Sequence, residues 1–93
     1  MTGTIYLLHF SAPYKHARHY TGWTTDLAAR LRDHHAGNGA RLIAVITAAG
    51  ITFTLARSRP GSRDDERAIK RCGGAVRYCP VCTPHPLHGR WST

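Results

Sequence analysis

The run Ile5-Tyr6-Leu7-Leu8-His9-Phe10 is apolar and rich in β-formers, and reads as a first strand. After the loop Ser11-Ala12-Pro13-Tyr14-Lys15, the segment Arg18-His19-Tyr20-Thr21-Gly22 reads as a second, and so short a connection predicts an antiparallel hairpin. Centring the loop on Pro13 pairs residues whose numbers sum to 26 and sets Tyr6 opposite Tyr20. Thr24-Thr25-Asp26 supplies a helix N-cap. Beyond it Leu27, Leu31 and the stem of His35 recur at i, i+4, and Arg30 and His34 form a neighbouring stripe at the same spacing, until Gly37 and Gly39 end the helix. Residues 40–49 are almost wholly apolar and predict a buried second helix, stopped by Gly50. Ile51, Phe53 and Leu55 alternate with Thr52, Thr54 and Ala56, the period of a half-buried strand. Pro60-Gly61 reads as a turn. Ser62-x-x-Asp65 then opens a third helix, its first turn acidic and its end near Cys72, before Gly73-Gly74. The order is β-β-α-α-β-α, an α/β domain over residues 1–74, with a Cys-, His- and Pro-rich tail over 75–93 that reads as irregular.

At 93 residues the chain has room for one small core, and 42% hydrophobic against 19% charged residues is a globular composition. The net charge of +8 changes the picture most, because it points to a polyanionic partner, nucleic acid first. Eleven of the 13 basic residues are Arg, whose planar fork suits phosphate, although a GC-rich genome would favour Arg as well. No apolar run approaches the ~18–20 residues needed to span a bilayer, and the first residues lack the pattern of a signal peptide. Three cysteines clustered late, at Cys72, Cys79 and Cys82, make no disulfide framework, so a cytoplasmic protein with no membrane partner is expected.

Tyr20-Thr21-Gly22, with Arg30 ten residues after the tyrosine and His34 four after that, resembles the second half of the signature of the GIY-YIG nucleases. Thr4-Ile5-Tyr6 resembles the first half, with its glycine one place early at Gly3, and Glu66-Arg67-Ala68-Ile69-Lys70 resembles the family's glutamate helix. The resemblance covers roughly residues 3–72 and is to the small single-domain bacterial and phage members. It implies a three-stranded antiparallel sheet flanked by three helices, and a metal-dependent endonuclease acting on nucleic acid, DNA ahead of RNA. It implies Tyr6, Tyr20, Arg30, His34 and Glu66 as catalytic residues and Glu66 as the ligand of Mg²⁺ or Mn²⁺. Trp23 stands where some members carry a basic residue.

The residue types suit that chemistry: phosphodiester hydrolysis needs an activated water, a shielded phosphorane-like charge and a stabilised leaving oxygen. One carboxylate is an acceptable Mg²⁺ anchor, since the ion keeps several waters. A tyrosine, with a pKa of about 10, needs a nearby cation or base to act on a water. Each residue also has a plainer reading. Tyr6 and Tyr20 would make a cross-strand aromatic pair, Arg30 and His34 a solvated helix face, and Glu66 a helix N-terminal carboxylate. A basic module that binds nucleic acid without cutting is the alternative function. No separate DNA-reading domain is visible, so sequence-specific cutting would call on a homodimer or a targeting partner. In the tail, Cys79-Pro80-Val81-Cys82 is a CxxC knuckle and hence a candidate half of a zinc site, with Cys72, His85 and His88 as the other candidate ligands; free thiols are the plainer reading and a redox pair the third.

Overall fold

The computed structural model describes residues 2–91. It is a small α/β domain built on a three-stranded antiparallel sheet. The elements run β1 (Thr2–Tyr14), β2 (Ala17–Thr24), α1 (Leu27–His35), α2 (Arg41–Ala48), β3 (Phe53–Ser62), α3 (Arg63–Cys72) and a single turn, α4 (Ala75–Tyr78). A 3₁₀ turn at Gly89–Trp91 follows. The sheet order is β2-β1-β3, which makes β1 the central strand.

That position explains why Ile5, Tyr6, Leu7 and Leu8 are apolar without alternating. All four are fully buried, because helices cover both faces of the strand. Tyr6, Leu8 and Phe10 pack with Ile43 and Ile46 of α2 and with Phe53. Ile5 and Leu7 face the other way, onto Ile69 of α3 and onto Cys79 and Trp91 of the tail. Residues 75–91 thus wrap over one face of the sheet, and the end of the tail reading, at 92–93, lies outside the described residues.

Local chemistry sets the helix starts. The Asp26 carboxylate accepts from the backbone N–H of Ala29 at 3.1 Å and opens α1. Ser62 and Asp65 form a reciprocal capping box at α3, at 3.2 and 3.0 Å.

Two turns lie elsewhere than the pattern places them. The β1–β2 hairpin runs past Pro13 to a tight turn at Lys15-His16, with Lys15 at φ 55° and the register shifting between His9 and Tyr14. Tyr6 therefore faces Gly22, and Leu8 faces Tyr20. The offset from the expected pairing is two residues, which keeps Tyr6 and Tyr20 on one face because side chains alternate with a period of two. Pro60-Gly61 is not a turn: β3 carries on through it, paired with Thr4 and Gly3. An edge strand tolerates proline, whose missing N–H costs no ladder bond on the solvent side.

Candidate active site

Tyr6 projects from the middle of β1 to the face covered by α1 and α2, with Tyr20 on the same face at a ring-centroid distance of 6.2 Å. The packing requires glycine at position 22: a Cβ there would collide with the Tyr6 phenol and lie 2.9 Å from the Tyr20 ring. The Tyr-x-Gly spacing thus has a steric cause.

His34 is the last-turn residue of α1 that points inward, and it is fully buried between the two tyrosines and Phe53. Its Nδ1 lies 3.3 Å from the Asn38 carbonyl and its Nε2 lies 2.8 Å from the Tyr6 hydroxyl. A carbonyl only accepts, so the ring proton belongs on Nδ1. The Nε2 lone pair then accepts the Tyr6 O–H. Burial holds the His34 pKa below its ordinary value, and the nearby Arg30 and His35 push it further down; the Asn38 bond and Asp33 oppose this. Burial likewise raises the Tyr6 pKa, helped by Tyr20 and Glu66, while Arg30 pulls it back. At neutral pH the pair is a phenol donating to a neutral imidazole.

Arg30 lies one turn before His34 on α1. Its Nη2 donates to the Gly39 carbonyl at 3.0 Å. Its Nε is buried and finds no hydrogen-bond partner among the described residues. Gly39, at φ 93°, brings the loop backbone down onto both side chains: a Cβ there would sit 3.1 Å from Arg30 and 3.2 Å from His34.

Glu66 comes from the first turn of α3 and is 9% exposed. Lys70, four residues on, places its ammonium 3.4 Å from Glu66 Oε2 and 5.6 Å from the centre of the Tyr20 ring. Tyr6, Tyr20, Arg30 and His34 therefore form one cluster, and Glu66 flanks it closely enough for its charge to act on Tyr6. Beside Tyr20 a cavity of about 340 Å³ opens between β2, α3 and the tail, with Tyr78 and Trp91 in its wall. Trp23 lies outside this cluster, on the opposite face, with its indole N–H donating to the Gly61 carbonyl at 3.0 Å and Arg63 over its ring.

The tail cysteines meet different partners from those the sequence suggests. Cys79 and Cys82 approach His9 and His19, and the four side chains could hold a metal ion; their nitrogen and sulfur donors are those that zinc takes. Cys72 is exposed, as is His85. His88 is engaged elsewhere, its Nδ1 lying 2.7 Å from Arg57 Nη2. None of these three belongs to the cluster. His9 and His19 escape the sequence reading because they come together only in the true register, where they stand directly opposite each other.

Compared with family models, with curated proteins and with solved structures, the chain matches none.

Proposed function

We propose that this domain hydrolyses phosphodiester bonds of nucleic acid, DNA ahead of RNA, in a divalent-metal-dependent reaction of the kind the GIY-YIG resemblance implies. The observation that carries the reading is the buried 2.8 Å bond from the Tyr6 hydroxyl to His34 Nε2, with the unpartnered Arg30 Nε beside it. An aromatic pair alone has no need of a buried, neutral imidazole hydrogen-bonded to the phenolic hydroxyl. In this reading an attacking water gives its proton to the Tyr6 oxygen as Tyr6 passes its own to His34 Nε2. Arg30, whose side chain is only partly buried, clamps the non-bridging phosphoryl oxygens with its guanidinium as charge builds on them. Tyr20 orients the same phosphate from the other strand.

Glu66 would hold the Mg²⁺ or Mn²⁺. Its carboxylate oxygens suit a hard cation, and a single protein carboxylate is enough for an ion that keeps most of its waters. When bound, such an ion stabilises the leaving oxygen. Arg32, Arg41, Lys70 and Arg71 are exposed on the helices that carry the site and offer phosphate contacts outside the cleaved bond.

One observation favours the alternative, a domain that binds nucleic acid without cutting it: Lys70 lies on Glu66 Oε2, where the cation would bind. A panel of labelled DNA and RNA duplexes, single strands and branched structures, incubated with Mg²⁺ or Mn²⁺ and with chelator, separates the two. Scission that chelator stops is the expected result. Binding with no scission of any substrate would establish the alternative.

A further inference from the structure

The face of the sheet away from Tyr6 carries a second chemical centre. His9 and His19 face each other across the β1–β2 ladder, their Nδ1 and Nε2 atoms 3.3 Å apart. The CxxC turn folds onto them, closed by backbone bonds from Cys82 and Thr83 to the Cys79 carbonyl. Cys79 Sγ lies 3.5 Å from His9 Nδ1, and Cys82 Sγ lies 3.4 Å from both His9 Nδ1 and His19 Nε2. All four donor atoms fall within 4.8 Å of one another.

Hydrogen bonding does not account for this geometry. His9 Nδ1 has three neighbours within 3.5 Å, yet a ring nitrogen offers either one N–H or one lone pair. A central cation satisfies all four donors at once. With Zn–N of about 2.05 Å and Zn–S of about 2.3 Å at tetrahedral angles, nitrogens should lie about 3.4 Å apart and nitrogen and sulfur about 3.6 Å apart. The four separations given above agree with these to about 0.2 Å. Two thiolates also balance the charge of one Zn²⁺.

We propose that His9, His19, Cys79 and Cys82 bind one structural zinc ion, which clips the tail to the β1–β2 hairpin. The set is closed, with four protein ligands and no open position, so the ion is structural and takes no part in hydrolysis. It joins segments 70 residues apart and fixes the stretch that places Tyr78 and Trp91 in the cavity wall beside Tyr20. The inference rests on these four side chains alone and stands whether or not the domain cleaves nucleic acid.

The test uses the whole chain, free of any histidine tag and purified without chelator. Elemental analysis should find about one zinc per chain, and cobalt in its place should give thiolate-to-metal charge transfer with the intense visible bands of a tetrahedral site. His19→Ala should weaken zinc affinity at least about tenfold against a chelating dye, within the range that loss of a site's support costs. Should that variant fail to fold, His19→Cys keeps four ligands and should retain zinc, with stronger thiolate–cobalt absorption. The triple variant Cys72→Ser, His85→Ala, His88→Ala should bind as the wild type does. A folded chain that takes up no cobalt and whose thiols titrate freely, or pair as a Cys79–Cys82 disulfide, would overturn the proposal. Loss of zinc from the triple variant, with His19→Ala still loaded, would overturn the ligand assignment.

Discussion

Gly22→Ala is the change that most sharply tests how the site is built. The new Cβ would overlap the Tyr6 phenol and lie 2.9 Å from Tyr20. Carbon contacts relax at about 3.5–4.0 Å, so the phenol must retreat by about 1 Å. That stretches the 2.8 Å bond to His34 beyond hydrogen-bonding range and leaves a buried Nε2 without its donor. Overpacking costs about 1–3 kcal/mol and the lost bond about 1 kcal/mol more, for a total of about 2–4 kcal/mol. In a domain of this size each kcal/mol is worth roughly 4–8 °C in Tm. Thermal unfolding followed by circular dichroism should show the drop. The ¹⁵N shift of His34 Nε2 should move toward that of a free imidazole nitrogen. Cleavage should slow by about 10²-fold, the usual effect of a 1 Å misplacement. A variant with wild-type Tm and an unmoved His34 resonance would refute the argument that Tyr6 is seated against Gly22.

Arg30→Ala should reduce the cleavage rate by about 10²–10³-fold in single-turnover assays, with a loss below tenfold marking Arg30 as mere surface. The His34 pKa is lowered in the folded state, so below its unfolded value, about 6.5, the unfolded chain binds the extra proton and the folded chain does not. Its contribution to stability is therefore full above about pH 6.5 and is lost as pH falls from there toward the folded pKa; His34→Gln should flatten that part of the stability–pH curve, measured by urea unfolding. Affinity for DNA should fall steeply with salt, since Arg contacts release phosphate counterions, and a flat dependence in fluorescence anisotropy would point to a protein partner instead.

Much of the framework is legible from the sequence because local signals agree with tertiary need. The capping box at Ser62, the apolar stretch of α2 and the unbroken run in β1 each have one sensible reading, and the structure contains each. Register is harder. A hairpin's pairing depends on where its turn closes, and the turn at Lys15-His16 carries no Gly or Asn to announce it, only a lysine at positive φ. The two-residue error leaves the Tyr6–Tyr20 face intact and hides the His9–His19 pair altogether. Pro60 misleads for a related reason, since proline marks a turn or a sheet edge and sequence alone does not say which. Arg30 and His34 share a helical stripe but not an environment, because Phe53 and the tyrosines bury His34 from afar in sequence. The tail's spacing shows a knuckle, but its completing ligands lie some 70 residues upstream, beyond the reach of local pattern. No helix among the described residues is long and apolar enough to cross a membrane.

If this cluster cuts nucleic acid with the help of an ion at Glu66, that carboxylate is needed for cleavage and not for binding. The most direct measurement is single-turnover cleavage of a labelled DNA in Mg²⁺ by the wild type and by Glu66→Gln, with binding of the same DNA measured in parallel. Glu66→Gln keeps the shape of the side chain and removes its charge, so the account predicts that cleavage disappears while affinity stays within a few-fold of wild type. Cleavage at the wild-type rate by Glu66→Gln would contradict it.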